Sequence, residues 1–259
     1  MEIAEGGKRS MSAKERCLEL RNRWYPEDQW PGEIYLSDIR RFGGEALLEI
    51  GCGRRAHILR RAADCFRRCV GVDPDCKGVT CDDPRIELQA GDAVNVPFPD
   101  ATFDVVAMLD TAEHLPDPAA AFRECARVLK PGGRLIVQTV NQWFWPIMLS
   151  RMFPFGARQF LNRRLSGTAE DDTFPVFYRA NKMSALRRHG ATAGLAVESA
   201  RYLAHHPTYF LFSPVVYRVM ASIERVWTRT GALPQLQPRL HMILRKAATG
   251  GGGGSGSRA

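Results

Sequence analysis

The chain has 259 residues, of which 45% are hydrophobic and 25% charged, as in an ordinary globular protein that can bury a substantial core. Its net charge is +8, but the arginines that carry it are scattered, so the charge alone does not indicate nucleic-acid binding. No run of about 18 uncharged apolar residues occurs, which argues against a transmembrane helix.

Two helices are predicted ahead of the first strand. The first covers residues 12–23, where Ser12 and Glu15 match a capping box. The second covers residues 33–42, and an aromatic connector at 24–31 separates the two. These helices either cover one side of a sheet or, through the connector, roof a pocket.

Short β-branched runs then alternate with helical segments. This alternation predicts an α/β fold with a mostly parallel sheet and helices on both faces. Helices are expected after the first strand to about residue 66 and from about residue 118 to a Lys-Pro-Gly-Gly string, and two more at 181–193 and 208–229. The predicted strands are 46–50, 69–73, 85–90, 103–109, 134–140, 195–204 and 239–245.

The chain changes character beyond residue 141, where Trp, Phe, Met and Arg become frequent. Two segments, near 143–180 and 207–232, are predicted to form a helical lid, or to make shallow contact with an anionic membrane. The predicted organisation is an N-terminal helical cap at 1–44, one domain at 45–247 and a flexible Gly/Ser tail at 248–259.

The cysteine pattern and the N-terminus bear on location. The seven cysteines include no C-x-x-C pair, and their spacings fit no common zinc pattern, so no metal site is predicted. The first 14 residues are polar and lack an apolar core of signal-peptide length. Free thiols in a reducing cytoplasm are the simplest interpretation, with peripheral contact at the inner membrane surface left open.

A glycine turn follows the first predicted strand. Glu49 ends the apolar run, and Gly51 and Gly53 come directly after it. Glycines allow a ligand to lie against the backbone because no Cβ stands in the way. Many strand-to-helix turns need glycine for steric reasons alone, so both interpretations of this turn stay open.

Two acidic residues follow the next predicted strands. Asp73 lies 22 positions after Gly51, where a carboxylate can accept both hydroxyls of a ribose, or cap a turn ahead of Pro74. Asp92 follows the third strand and can accept a hydrogen bond from an exocyclic amine such as that of adenine. Together with the glycine turn, these strand ends predict a nucleoside site.

With these residues in view, the sequence resembles the class I S-adenosylmethionine-dependent methyltransferases, and more narrowly their type 11 family, which includes ubiquinone and menaquinone methylases. Five motifs carry the resemblance, in the expected order across residues 45–140. They are Leu-Leu-Glu-Ile-Gly-Cys-Gly (47–53), Val-Gly-Val-Asp (70–73), Gly-Asp-Ala-Val-Asn-Val-Pro-Phe-Pro-Asp-Ala-Thr-Phe-Asp-Val-Val (91–106), Glu-His-Leu-Pro-Asp (113–117) and Val-Leu-Lys-Pro-Gly-Gly-Arg-Leu (128–135).

The resemblance implies a Rossmann-like, mostly parallel seven-stranded sheet with an antiparallel last strand, and S-adenosylmethionine as cofactor. The sequence departs from the family pattern at Arg55, where a small residue is usual. This arginine either narrows the methionine end of the site or pairs with the methionine carboxylate. The implied cofactor contacts are Glu49, Gly51 and Gly53 at the methionine, Asp73 at the ribose, Asp92 and Ala93 at the adenine, and Leu109 and Asp110 near the sulfonium.

The implied reaction is transfer of a methyl group to a small, hydrophobic or lipid-like acceptor by in-line displacement, in which positioning supplies most of the catalysis. A base is needed only if the acceptor must lose a proton. By resemblance the catalytic candidates are His114 and Asp110, although His114 could equally brace its loop. His205 and His206, which end the sixth strand, are a second option.

Two other functions are weighed against this one. A nicotinamide-dependent dehydrogenase is compatible with the glycine turn, whose sixth position is Ala56, but not with the Gly-Asp-Ala and Leu-Lys-Pro-Gly-Gly strings. A non-catalytic binding or scaffold protein of the same fold is the alternative that Arg55 keeps open. The expected partner is a small-molecule acceptor, with no nucleic acid.

Overall fold

The computed structural model describes residues 11–150, 175–207 and 210–248. These residues form one seven-stranded sheet in the order β3-β2-β1-β4-β5-β7-β6. The strands are β1 (Gly44–Ile50), β2 (Phe66–Val72), β3 (Ile86–Gln89), β4 (Phe103–Leu109), β5 (Leu129–Val140), β6 (Leu195–Leu203) and β7 (Arg239–Lys246).

The sheet is parallel from β3 through β5, and β7 runs antiparallel to both β5 and β6. The predicted mostly parallel sheet with an antiparallel last strand is confirmed. Because β6 therefore points the same way as β1, β4 and β5, its carboxyl end lies at the same edge of the sheet. That edge is where ligands bind in folds of this type.

Helices lie on both faces of the sheet, as predicted. The described helices are α1 (Ala13–Trp24), α2 (Pro31–Phe42), α3 (His57–Ala62), α4 (Pro118–Val128), α5 (Trp145–Ser150), α6 (Met183–Thr192) and α7 (Pro214–Thr230).

Alternation along β1 shows how the two cores form. Leu48 and Ile50 face a core that includes residues of α4 and α6. Leu47 faces the opposite core, to which α2 contributes Tyr35 and Ile39. A third, smaller cluster lies between α1 and α7. The cap helix α2 is therefore part of the main packing of the sheet.

The capping box of α1 is confirmed: Glu15 N donates to Ser12 Oγ at 3.2 Å, and Ser12 N donates to Glu15 Oε2 at 2.7 Å. The helix predicted after the glycine turn is wrong in extent. It ends at Ala62, and a 3₁₀ turn leads directly into β2, because Phe66 already pairs with Gly44 of β1.

Two other boundaries, the starts of β5 and α7, differ most from the prediction. Strand β5 begins at Leu129, which pairs with Phe103, so the Lys-Pro-Gly-Gly string lies inside a strand that has a register shift at this point. Helix α7 begins at Pro214, because Ser213 supplies its N-cap and proline suits the first helical turn.

Parts of four predicted segments lie outside the described residues. They are residues 1–10 of the N-terminal cap, residues 151–174 of the first lid segment, residues 208 and 209 of the second, and residues 249–259 of the tail. No helix in the described ranges is long and apolar enough to cross a membrane.

Candidate functional site

The glycine turn joins β1 to α3, and both of its glycines are left-handed: Gly51 (φ +77°) and Gly53 (φ +59°). A Cβ on Gly51 would lie 2.1 Å from Oγ1 of Thr111, so this glycine is required by packing. A Cβ on Gly53 would meet nothing within 4 Å. The steric interpretation of the turn therefore applies to Gly51, which is needed for close packing. The ligand-binding interpretation applies to Gly53, which borders open space that a ligand could use.

Asp73 follows β2 and connects this strand to the glycine turn. Its Oδ2 accepts a hydrogen bond from Gly53 N at 2.9 Å, and its Oδ1 accepts one from Asp75 N at 2.9 Å. The capping role considered for Asp73 is thus present. Each carboxylate oxygen keeps a second lone pair, so this bonding is compatible with additional bonds from ribose hydroxyls.

Glu49 is buried at the end of β1, with 2% of its surface exposed. Its Oε2 has no hydrogen-bond partner among the described residues, and burial raises its pKa to about 8. The hydroxyl of Tyr35, on α2, is likewise buried and without a partner in the described ranges. The charges of Glu49 and Asp110 both contribute to raising the Tyr35 pKa, after burial itself.

Asp92 and Ala93 lie beside the end of β2, because Gly91 N donates to the carbonyl oxygen of Asp73 at 3.4 Å. Ala93 is buried in the core, whereas Asp92 is exposed and accepts a hydrogen bond from Val94 N at 3.2 Å. The predicted adenine residues thus adjoin the predicted ribose residue.

Leu109 and Asp110 end β4 at the same edge. Leu109 is half-buried, and its carbonyl accepts a hydrogen bond from Thr111 Oγ1 at 3.1 Å. Asp110 has a left-handed backbone (φ +51°), and its carboxylate forms an ion pair with Arg239 of β7. The sequence did not point to Arg239, because the antiparallel strand that carries it is 129 positions away.

A buried polar network lies next to Asp110. Glu113 Oε2 accepts a hydrogen bond from Thr139 Oγ1 at 2.6 Å, and Asn181 Nδ2 donates to the same hydroxyl at 2.8 Å. Burial and the nearby Asp110 charge raise the Glu113 pKa to about 7. The Glu-His-Leu-Pro-Asp string contains Glu113, but no pattern along the chain indicated a role for this residue or connected it to Thr139 and Asn181.

His114 is half-buried beside this network, and its Nδ1 lies 3.2 Å from the carbonyl oxygen of Pro175. A carbonyl can only accept, so Nδ1 carries the proton in this contact and Nε2 is the nitrogen with the acceptor lone pair. The contact also braces the loop, so both roles considered for His114 are compatible with it.

Arg55 is exposed, and its backbone carbonyl accepts a hydrogen bond from Arg60 Nε at 3.2 Å. No atom of its side chain lies within 4 Å of the place that a Cβ on Gly53 would take. The arginine therefore does not fill the space directly beside this glycine.

These residues fit the cofactor that the resemblance implies. The unpartnered carboxylate oxygen of Glu49 suits the ammonium group of a methionine moiety, since an opposite charge satisfies a buried carboxylate. The space beside Gly53 admits a ligand against the backbone, and Asp73 retains acceptor capacity for a ribose. All three residues lie at the carboxyl edge of the sheet.

Comparison with known proteins identifies the family of this chain. The family model described as "Methyltransferase domain" matches residues 48–137. The protein of Mycolicibacterium smegmatis named "Probable S-adenosylmethionine-dependent methyltransferase" is 33% identical over 181 residues, covering 66% of this chain and 69% of the relative. A ubiquinone biosynthesis O-methyltransferase of Marinobacter nauticus is 30% identical over 187 residues, covering 67% of this chain and 73% of the relative.

The chain spans about half the length of some other relatives. Among solved structures, the YcgJ protein of Bacillus subtilis superposes with a TM-score of 0.52 at 19% identity, over 83% of this chain and 98% of that protein, which supports the fold. On these grounds the chain belongs to the type 11 family of class I S-adenosylmethionine-dependent methyltransferases, enzymes whose cofactor is S-adenosylmethionine.

Proposed function

We propose that the enzyme transfers a methyl group by in-line displacement to a small, hydrophobic or lipid-like acceptor. The observation that carries this proposal is a ring stack between the two predicted lid segments. Trp145 of α5 stacks on Phe210 with ring centroids 6.2 Å apart, and Trp143 and Phe212 extend the exposed aromatic surface. Since α5 follows β5, this surface lies on the same side of the sheet as the edge that carries the proposed cofactor residues.

The proposed cofactor contacts are those of the sequence analysis. When bound, S-adenosylmethionine supplies a methyl group already activated by its sulfonium charge. Glu49 would hold the ammonium group, Asp73 the ribose hydroxyls, and the backbone at Gly53 would lie against the ligand. The remaining proposed contacts are Gly51, Asp92, Ala93 and Leu109.

His114 is the proposed base for an acceptor that must lose a proton. Its contact with the Pro175 carbonyl supports the tautomer in which Nε2 accepts. Asp110 is proposed to act beside His114 by holding the loop after β4 in place through its ion pair with Arg239. The names of both curated relatives support transfer to an acceptor molecule in this family, and the Marinobacter name specifies oxygen as the acceptor atom of that protein.

Calorimetric titration with S-adenosylmethionine tests the cofactor assignment. The Asp73→Ala variant should bind at least about tenfold more weakly, because hydrogen bonds to a charged group contribute about 1.5–3 kcal/mol. Asp75→Ala is the matched control, since this neighbouring acid is exposed and contributes only its backbone N–H to the turn. Equal affinity in Asp73→Ala and wild type would refute the ribose assignment.

The acceptor class is tested by methyl transfer from labelled cofactor to paired phenols with and without an alkyl chain. We expect a higher kcat/KM for the alkylated member of each pair. A Trp145→Ser variant should show a smaller preference for the alkylated phenol over the unsubstituted one. Transfer to the unsubstituted phenols at the same or greater efficiency would refute a hydrophobic acceptor.

A second candidate property, contact with anionic membranes, is favoured by the surface of α7. Val215, Val219, Ile223 and Val226 recur at helical spacing and are 74%, 54%, 54% and 62% exposed. The exposed Arg218, with other arginines of α7, borders this stripe. An apolar stripe flanked by arginines is typical of helices that lie in the interface of an anionic bilayer.

Co-sedimentation with phosphatidylglycerol vesicles tests this candidate, with phosphatidylcholine vesicles as the reference. Binding should fall in a Val219→Asn/Val226→Asn variant and at high salt, because both apolar burial and charge contribute. Absence of wild-type binding to the anionic vesicles at low salt would eliminate the candidate.

A further inference from the structure

The structure contains a concavity that is not lined by any of the residues proposed to hold the cofactor. It is enclosed by the connector after α1, by the end of β6 and by α7, and its volume is about 360 Å³. This is the size of a small-molecule site. We call it the α7 pocket and define it by Trp24, Tyr25, Trp30, His206, Arg225 and Arg229.

His206 gives the α7 pocket a buried polar group. It is 9% exposed, and its ring contacts those of Tyr25 and Trp30, at centroid distances of 6.0 and 5.9 Å. Its Nδ1 has no hydrogen-bond partner among the described residues. Burial, with the charges of neighbouring side chains, lowers its pKa to about 3, so the ring is neutral. A neutral, unpartnered ring nitrogen in an aromatic wall is suited to a polar group of a bound ring system.

The charge of the pocket lining is positive. Arg23, Arg225 and Arg229 line it, and none of the described residues that line it is acidic. The adjacent Glu224 does not line the pocket but is held by two residues that do: its carboxylate accepts hydrogen bonds from the Tyr25 hydroxyl at 3.3 Å and from His205 N at 3.1 Å. Burial also raises the Glu224 pKa to about 7, which reduces its negative charge near neutrality.

The aromatic walls already hold cations. The Arg225 guanidinium lies 5.2 Å from the centroid of the Trp24 ring, and that of Arg21 lies 4.6 Å from the centroid of Trp30. Guanidinium groups presented on aromatic rings are well placed to pair with a carboxylate or phosphate. The lining therefore combines a surface for a planar ring with a site for an anion.

The α7 pocket adjoins the proposed reaction site through the end of β6. Leu203 of β6 pairs with Arg239 of β7, the residue that forms the ion pair with Asp110. His205 follows two positions later and lines the pocket, and the charges of Arg239 and Asp110 both act on its pKa. A ligand in the pocket would thus lie next to the loop after β4.

We propose that the α7 pocket binds the acceptor, and that the acceptor is a planar, ring-bearing molecule with an anionic group. This inference rests on the proposed function, and it specifies the acceptor class more narrowly: the ring lies among Tyr25, Trp30 and His206, and the anion lies near Arg225 and Arg229. The reacting group of the acceptor would point past His205 toward Asp110.

Calorimetry on the full chain with saturating S-adenosylhomocysteine tests the ligand class. The probes are 2-naphthoate, which has ring and charge, 2-naphthamide, which has the ring alone, and octanoate, which has the charge alone. We expect 2-naphthoate to bind at least tenfold more tightly than either of the others. Equal affinity for naphthoate and naphthamide would overturn the anion site, and equal affinity for naphthoate and octanoate would overturn the ring site.

Variants locate the binding. Arg225→Gln/Arg229→Gln should weaken naphthoate at least tenfold and leave naphthamide unchanged, whereas Arg218→Gln, on the same helix but outside the pocket lining, is the matched control. His206→Phe keeps an aromatic ring without the polar nitrogen and should weaken hydroxy-substituted naphthoates more than naphthoate itself. Unchanged naphthoate affinity in the double arginine variant would overturn the assignment.

Methyl transfer links the pocket to the reaction. A set of hydroxy-2-naphthoates should be methylated with higher kcat/KM than the matching naphthamides, and Arg225→Gln/Arg229→Gln should abolish that preference. Naphthoate binding without transfer to any hydroxy-naphthoate, or with equal transfer to the amides, would overturn the acceptor role. Titration of wild type and the variants with S-adenosylmethionine separates the two hypotheses. No cofactor binding to wild type would refute the proposed function. Normal cofactor binding together with unchanged naphthoate affinity in Arg225→Gln/Arg229→Gln would refute only the present inference.

Discussion

Arg239, the first residue of β7, forms an ion pair with Asp110, which directly follows β4. The backbone of Asp110 is left-handed, and its N–H donates to the carbonyl of Gln138 in β5 at 2.9 Å. The loop after β4 is therefore fixed from two neighbouring strands. Because the Asp110 carboxylate is engaged with a guanidinium, its expected role is to position the loop together with Arg239.

We predict that Asp110→Asn and Arg239→Gln lower kcat/KM by similar amounts, about tenfold, and that the double variant loses little more, since both remove one interaction. The effect on stability should be small, about 0.5–1 kcal/mol, because the Asp110 side chain is 42% exposed. The measurement is a double-mutant cycle: steady-state kinetics and urea unfolding of wild type, the two single variants and the double variant. A loss of several hundredfold in kcat for Asp110→Asn alone would instead identify Asp110 as a base.

The two glycines of the turn should respond differently to alanine. Gly51→Ala places a Cβ 2.1 Å from Thr111 Oγ1 and should cost about 2–4 kcal/mol of unfolding free energy. Gly53→Ala meets no atom within 4 Å and should cost about 1 kcal/mol through its backbone angle, but should weaken cofactor binding. Thermal unfolding and calorimetry distinguish the two effects.

The double variant Gly51→Ala/Thr111→Ala is the control for the packing explanation. It removes the Oγ1 and Cγ2 atoms that a Cβ would meet at 2.1 and 2.8 Å. Stability should recover in part relative to the sum of the two single variants. Strict additivity would contradict the close-contact account and leave the backbone angle as the whole cause.

Glu49 should make the cofactor-free protein less stable as the pH rises. Its folded-state pKa, about 8, lies above its ordinary value of 4.5 because the carboxyl is buried. The contribution of neutral Glu49 to the free energy of unfolding is fully present below pH 4.5. It is lost progressively as the pH rises through 8, because the buried carboxyl must then ionise. Glu49→Gln should flatten this part of the pH profile, by on the order of 1–3 kcal/mol between pH 5 and pH 8.

The measurement is Tm against pH for the two proteins without and with S-adenosylmethionine, comparing slopes, because the glutamine also introduces a new amide. With cofactor, wild type should gain more stability than Glu49→Gln, since only the carboxylate can pair with an ammonium group. Parallel Tm profiles without cofactor would show that Glu49 titrates normally.

Asp38 should stabilise the fold in the opposite pH range. Its Oδ2 accepts a hydrogen bond from the buried His241 Nε2 at 3.0 Å, and it forms an ion pair with Arg201. Burial alone would raise its pKa, but these partners outweigh burial and lower it below the ordinary 3.8. Its contribution is therefore complete above pH 4 and is lost as the pH falls through the lowered pKa.

Asp38→Asn should reduce unfolding free energy at pH 7 by about 2–3 kcal/mol, because it breaks a largely buried pair. Below pH 3 the difference from wild type should shrink. The exposed Asp28→Asn is the control and should leave the urea midpoint unchanged at both pH values. A constant difference across this range would exclude Asp38 ionisation as its source.

The sequence determined the sheet and the place of the candidate site within it. Short β-branched strands alternating with helices permit few arrangements, and the alternation of Leu47 and Leu48 in β1 already required a core on each face. Glu49, Gly53, Asp73 and Asp92 could be assigned to one edge because parallel strands bring their carboxyl ends together. Those inferences use only local pattern and strand direction.

Only the tertiary structure decided the partners of these residues. The contact of Gly51 with Thr111, the ion pair of Asp110 with Arg239 and the link of Glu113 to Thr139 and Asn181 join different elements of the fold. No spacing along the chain encodes them, because they depend on sheet register and on how the loops cross its edge. The α7 pocket was likewise visible only when the predicted aromatic connector, the end of β6 and α7 were brought together by packing.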